Sequence, residues 1–460
     1  MLRVGFLLLT SLLCSNAVAF VATTHMPASR VIGEADLYTT PAPWTSGSTE
    51  PDEVRITYAI ATDSVNDRVF VADSPEHRVV EYVRDAGTGN YVFNRVFGQP
   101  DEYTGRDTAL PFKGGNRTNV AEGCTTTVNA CGMYAPHAVA YIPSDQTLVV
   151  ADQRGARILF FDAVFGVTTP MPRAKIVLAQ PSFEAGATDH WKWPSQGTWV
   201  NAENIDYPQC TGTTVHACGT EYVSGLVWDS CNGVIWAADS QNQRVLGWQY
   251  SSITDVTGPP ADYVLGTNNL SFGDFYRSTE SNQVNLLYPQ CSTPTTNACN
   301  FDYPNKLGFD DSRCLLFVSD LQNNRVLVFD DPDSEMFKPA VYVWGQPDFF
   351  TSTEATGSNK TPQPQGLTYD SVSDRMYVSS RSLSGVLTFP MVASLTNHPT
   401  ASAILGNDSF VDGLHHVSCG GTPNIVDPCG MKLGADLAFL QSQDQLFVAN
   451  AFGFRVIIFE

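Results

Sequence analysis

The chain has 460 residues, 43% of them hydrophobic, 11% aromatic and only 16% charged, which supplies a large core and excludes a disordered chain. Its formal net charge of −21 repels phosphate backbones, so nucleic acid is not an expected partner. Length alone suggests two or three domains, a prior that closed all-β folds routinely exceed.

The N-terminus reads as an export signal, residues 1–19. Arg3 gives a positive start, residues 4–13 form an apolar run, and Ala17-Val18-Ala19 is the small-x-small pattern for a cut before Phe20. That run is about half the length a membrane-spanning helix needs. No later stretch is long and apolar enough to span a bilayer. The mature chain, 20–460, is therefore expected to be secreted or periplasmic, without a membrane span, and monomeric.

A repeated hairpin follows. It occurs as VFVADSPEHRVVEY (69–82), LVVADQRGARILFF (148–161), VIWAADSQNQRVLGW (234–248), LFVSDLQNNRVLVF (316–329), a degenerate MYVSSRSLSGVLTF (376–389) and LFVANAFGFRVIIF (446–459). Each is a β-rich run, a polar turn and a second β-rich run. A short apolar stretch precedes the hairpin, such as AVAYI (138–142) or GLTY (366–369). A further segment follows it, such as VFGQPDEYTG (96–105) or VWGQPDFFTS (343–352). Four strands per unit, about six units and no helical periodicity predict an all-β, six-bladed β-propeller of four-stranded antiparallel blades. The sixth unit ends at Glu460 without its fourth strand, whereas RVIGEADLYT (30–39) matches that strand at the other end of the chain. The N-terminal strand is therefore expected to complete the last blade, 433–460, hiding a sheet edge within a single domain.

Removing Cys14 with the signal leaves ten cysteines, an even number in an oxidising context. Four short-range couples are expected disulfides: Cys124 with Cys131, Cys210 with Cys218, Cys291 with Cys299 and Cys419 with Cys429. Their intervals are rich in Gly, Thr, Pro and Asn, which is loop chemistry, and longer than the usual Cys-x₂₋₄-Cys of zinc sites. Cys231 and Cys314 sit at nearly matching places in consecutive units, so a bridge between neighbouring blades is expected.

The blades resemble those of NHL-repeat propellers in a strand, an Asp, a polar turn and an Arg leading the next strand. The matching residues are Asp73/Arg78, Asp152/Arg157, Asp239/Arg244 and Asp320/Arg325, each five apart. Asn450/Arg455 is a near match, and Ser380/Gly385 departs from the pattern. The segment at 345–348, GQPD, is similar to that of exported bacterial members. The resemblance implies the fold over the whole mature chain and says little about activity, because relatives include lyases, sensor domains and nucleic-acid binders. Recurrence in most blades marks the Asp and Arg as structural.

Function is expected at one end of the central channel. Long inter-blade loops, 106–133, 187–222, 274–302 and 412–431, fall on that side, and long insertions on a rigid scaffold usually carry recognition. Trp191, Trp193, Trp199, Tyr207, Tyr222, Phe275, Tyr276 and Tyr288 lie in or beside them. Most are read as loop packing, with the remainder suited to a protein, peptide or carbohydrate ligand. Counting fifteen residues back from each hairpin Asp, or its equivalent, gives Tyr58, His137, Ser224, Asn305, Gln365 and Ala435 as the channel-mouth candidates.

No catalytic residue or cofactor is assigned. The alternative is a metal-dependent hydrolase or lyase. Amidating lyases that share this blade type hold zinc through first-strand histidines, but only His137 matches here, and one imidazole is short of the three ligands catalytic zinc needs. Six-bladed lactonases hold calcium in the channel. Asn305 is a possible ligand for it, but ring carboxylates are missing from a site that needs six or more oxygens.

Overall fold

The computed structural model describes residues 22–24, 26, 28–34, 37, 54–99, 129–169, 171–180, 182–183, 219–220, 222–253, 258–267, 291, 296–411, 431, 434–451 and 455–460. The export-signal segment and most of the long inter-blade loops lie outside these residues. So do Trp191, Trp193, Trp199, Tyr207, Phe275, Tyr276 and Tyr288.

The described residues form six four-stranded sheets. Blade 1 runs Thr57–Asp63, Arg68–Asp73, Arg78–Arg84 and Tyr91–Phe97. Blade 2 runs Pro136–Ile142, Thr147–Asp152, Arg157–Asp162 and Ala174–Leu178. Blade 3 is Val223–Asp229, Val234–Asp239, Arg244–Gln249 and Tyr263–Leu265, and blade 4 is Pro304–Asp310, Leu315–Asp320, Arg325–Asp330 and Tyr342–Trp344. Blade 5 is Pro364–Asp370, Arg375–Ser380, Gly385–Pro390 and Ala403–Leu405. Blade 6 takes Gly434–Leu440, Gln445–Asn450 and Arg455–Phe459 from the C-terminus, and its outer strand is Arg30–Ile32, with Val31 opposite Ile457. Arg30 also reaches Glu460, Nε to Oε1 2.8 Å.

Each first strand touches the first strands of the preceding and following blades, and blade 6 touches blade 1, so the ring closes. The second and third strands are covered on both faces by neighbouring blades. Their residues are therefore continuous buried runs, such as Arg68–Asp73 and Leu315–Asp320, rather than alternating ones. The apolar core divides accordingly into one cluster per blade interface: 1–2, 2–3, 3–4, 4–5, 5–6 and 6–1.

The repeated Asp and Arg hold the blades to the segments that join them. Arg Nε donates to the Asp carboxylate at 3.0 Å in Asp73–Arg78, 2.7 Å in Asp152–Arg157, 2.8 Å in Asp239–Arg244 and 2.7 Å in Asp320–Arg325. The other carboxylate oxygen accepts a backbone N–H from the segment entering the blade, Tyr134 N at 2.6 Å for Asp152 and Asp302 N at 2.7 Å for Asp320. The guanidinium spends its remaining donors on carbonyls of the flanking segments, Gly132 O and Phe183 O for Arg157 and Asn297 O, Asn300 O and Phe349 O for Arg325. In the degenerate blade 5, the Ser380 hydroxyl instead donates to Pro362 O at 2.6 Å.

The GQP segments are turns rather than the bodies of fourth strands. In blade 1 the strand ends at Phe97, and Gly98 follows with φ +90°, where a Cβ would sit 2.9 Å from His77 O. The following Gln side chain closes the turn on the hairpin: Gln99 Nε2 donates to Glu76 O, Gln180 Nε2 to Ala156 O and Gln346 Nε2 to Asn324 O.

Two expected disulfides are present. Cys231–Cys314 joins the strand 1–2 turns of blades 3 and 4 with Cα atoms 5.9 Å apart, and Cys291–Cys299 closes part of the segment between the same blades. Cys131 is also disulfide-bonded; its expected partner Cys124 lies outside the described residues. The other two expected couples fall wholly outside them: Cys210 and Cys218 in the segment entering blade 3, and Cys419 and Cys429 in the segment entering blade 6. The bridges expected at Cys218 and at Cys429 are therefore not among the disulfides described.

Candidate site at the channel mouth

The first strand of every blade carries a register shift near its start: Thr57/Ala59, Pro136/Ala138, Val223/Gly225, Pro304/Leu307, Pro364/Leu367 and Gly434/Asp436. A bulge frees a residue from the ladder and re-aims side chains. Tyr58, His137, Ser224, Asn305, Gln365 and Ala435 all occupy this irregular step. The residues just before four of these strands, Ala135, Tyr222, Tyr303 and Gln363, adopt the left-handed backbone, φ +55°, +59°, +62° and +46°.

Four rings form an arc over the entrances of blades 1 to 4. Tyr58 stacks on His137 with centroids 4.2 Å apart, His137 meets Tyr222 at 5.6 Å, and Tyr222 meets Tyr303 at 6.1 Å. Across from the arc, blades 5 and 6 contribute Gln365 and the small Ala435. Gln365 Oε1 is buried without a hydrogen-bond partner. Asn305 is only 8% exposed, and among the described residues nothing bonds to its side-chain amide. Ser224 is turned away from this group. Its hydroxyl is fully buried, donates to Asn305 O at 2.8 Å and lies against the Ser240 hydroxyl, tying blade 3 to blade 4.

Below the arc, one side chain crosses the channel. Lys306 leaves blade 4 and donates from Nζ to Tyr58 O of blade 1 at 2.7 Å and His137 O of blade 2 at 2.9 Å. It also meets Asp436 Oδ2 of blade 6 at 3.4 Å. Sequence reasoning missed both charged residues because it counted one position off. Fourteen residues back from each hairpin Asp, or its equivalent, stand Ala59, Ala138, Gly225, Lys306, Gly366 and Asp436. One cation and one anion in a ring otherwise of alanine and glycine were the available signal.

Burial pulls the Lys306 ammonium below the usual lysine range, with Asp436 opposing, and pushes the Asp436 carboxyl up, with Lys306 opposing. Burial first, then the charges of Lys306 and Arg154, holds the His137 imidazole well below its usual range, so it is neutral at pH 7. Burial raises the Tyr58 hydroxyl; Tyr222 adds to this, while Arg381 and Arg154 on the hairpin turns at this end oppose it.

The mouth is thus a half-buried shelf of aromatic faces and polar groups without internal partners, over an ion pair. Its described donors do not fit a zinc or calcium site. They are one imidazole, two amides and a carboxylate already engaged by Lys306, and no group of three or more His, Cys, Asp or Glu among the described residues is placed to share an ion. No helix among the described residues is long and apolar enough to cross a membrane.

No protein-family model and no curated protein matches the chain. Among solved structures it is similar to a chain of the crystal structure of the Nidogen/Laminin Complex, at 10% identity over 77% of this chain and 85% of that one, with a TM-score of 0.38. It is also similar to the crystal structure of RRP9 WD40 repeats, at 10% identity over 91% of this chain and 99% of that one, with a TM-score of 0.43. The fold defines the class of the protein: a six-bladed β-propeller of four-stranded antiparallel blades.

Proposed function

We propose that the protein is an exported NHL-type propeller that acts as a binding module, recognising its partner at the channel mouth and the long inter-blade segments beside it. The observation that carries this reading is the arc of four aromatic rings over the channel entrance, with polar side chains beside it. Gln365 Oε1 is buried and unbonded, and the Asn305 amide, the His137 imidazole and the Tyr222 hydroxyl have no hydrogen bonds among the described residues. The buried Asp–Arg pairs are bonded, and leaving a buried polar atom unpaired costs roughly 1–3 kcal/mol; Gln365 Oε1 shares that condition with buried atoms elsewhere in the ring, Gln99 Oε1 and Gln346 Oε1 among them. Aromatic rings with polar side chains beside them at a channel entrance suit a ligand. Export is supported by the N-terminal segment and by disulfides, which persist in oxidising compartments.

The test is a selection of displayed peptides and arrayed glycans on the oxidised protein, repeated on Tyr222→Ala and Gln365→Leu variants that melt at the parental temperature. Ligands lost on both variants support the reading. Ligands that bind the variants undiminished place recognition elsewhere and overturn it.

A further inference from the structure

Of the two disulfides with both cysteines among the described residues, one is sealed and one is open. Cys291 and Cys299 are 0% and 1% exposed. Cys231 is exposed, whereas its partner Cys314 is half-buried against the apolar cluster between blades 3 and 4. Thiol–disulfide exchange requires an outside thiolate to reach a sulfur, so Cys231 is the sulfur open to attack and Cys314 the one that leaves. The bonds around the site do not depend on the bridge. Asp229 Oδ1 accepts the N–H groups of Cys231 and Asn232, each at 2.9 Å. Asn232 Nδ2 donates across the seam to Asp333 Oδ1 of blade 4 at 2.9 Å. The turn and the seam therefore keep these contacts when the S–S bond opens.

The same contacts gather acids. Asp229 and Asp333 flank the turn, and Asp311 O lies 3.5 Å from Cys231 Sγ. Cations on the adjoining turns are already paired, Arg313 with Asp310 and Asp374 and Lys338 with Asp330. The field at the open sulfur opposes an incoming anion and favours a thiol that carries its own positive charge. We propose that Cys231–Cys314, at the end of the ring opposite the mouth, is a thiol-exchange site modified at Cys231 by small cationic thiols. The incoming thiolate attacks Cys231 Sγ and forms a new S–S bond there. The bond to Cys314 breaks, and its electron pair leaves on the Cys314 sulfur, which takes a proton from solvent. One disulfide replaces another, so no net oxidation or reduction occurs.

The test treats the oxidised mature chain, without denaturant, with cysteamine, mercaptoethanol and glutathione. Acid-quenched early samples are mapped by mass spectrometry, and circular dichroism checks that the ring stays folded. Rates are compared per thiolate, each relative to the same thiol acting on hydroxyethyl disulfide. Adducts are expected on Cys231, with a free thiol at Cys314 and Cys291–Cys299 intact. At low salt cysteamine should lead glutathione by about tenfold, a gap that closes as salt screens the carboxylates. Asp333→Asn, which keeps an acceptor for Asn232, should speed glutathione about twofold and leave cysteamine nearly unchanged. No adduct at Cys231 until the chain unfolds, adducts at Cys314 instead, or equally fast reaction at Cys291–Cys299 overturns the proposal. Equal rates for cysteamine and glutathione at low salt overturn it as well.

Discussion

Lys306 of blade 4 and Asp436 of blade 6 meet at 3.4 Å inside the channel, and the same ammonium bonds to carbonyls of blades 1 and 2. Four of the six blades are therefore tied at one nitrogen. Lys306 is 3% exposed, so removing its anion leaves an uncompensated buried charge. Asp436→Ala is expected to destabilise by about 3–5 kcal/mol. Adding Lys306→Met should recover a large part of that loss, since an apolar chain of similar length replaces the stranded cation. Chemical denaturation of the parent and the two variants checks this, and a double variant no more stable than Asp436→Ala contradicts it.

The His137 imidazole is held below its usual range by burial and by nearby cations. The folded protein thus binds fewer protons here than the unfolded chain at pH values between its lowered pKa and about 6.5. Unfolding takes up a proton in that window, so acid favours unfolding, with a slope approaching about 1.4 kcal/mol per pH unit. Burial pushes Asp73 the other way, up to about 6. Its folded form gains protons as pH falls through 6, which adds stability in acid. Comparing the wild type with His137→Phe cancels that second effect. Melts at several pH values from 7.5 to 5 should show the wild type losing more stability than the variant. Parallel curves contradict the assignment.

A methyl group at position 366 would lie 2.6 Å from the Asp436 Cα and 2.7 Å from its carbonyl carbon. These are backbone atoms of the neighbouring blade's first strand, which cannot rotate aside. Gly366→Ala is expected to cost about 1–3 kcal/mol by forcing two blades apart, whereas Gly87→Ala, beside only the Asp85 side chain at 3.5 Å, should change little. Thermal melts of the two variants distinguish them.

Cys231–Cys314 spans 83 residues and joins the ends of blades 3 and 4 away from the mouth. Closing a loop of that length removes unfolded-state entropy worth roughly 4 kcal/mol. Replacing both cysteines with serine should lower the denaturation midpoint markedly and leave binding at the mouth unchanged. A loss of binding without a loss of stability contradicts this separation.

The blade count was legible because each hairpin repeats a physical need. An Asp and an Arg five residues apart close the same bonds in four blades, and the sixth keeps its Arg455. Even the degenerate blade keeps the strand pattern, with Ser380 taking up one of the lost bonds. The GQP segment was read as strand although its glycine ends the strand, because the pattern shows similarity and not backbone conformation. At the mouth, counting from the hairpin Asp gave Tyr58 and His137, which the structure stacks together, and Ser224, which it turns into the blade 3–4 contact. Lys306 escaped notice because a plug across a channel is made once, by a residue long enough to reach three other blades. Repetition cannot reveal what occurs once.

Hydrogen exchange on the complex with the tightest ligand from the selection tests the central claim most directly. The mouth reading predicts slower exchange at the entrances of the first strands, 56–59, 135–138, 222–225, 303–306 and 363–366, with the turns at the opposite end, 64–67, 311–314 and 371–374, unchanged. Protection confined to those opposite turns, or to the outer strands, would contradict it.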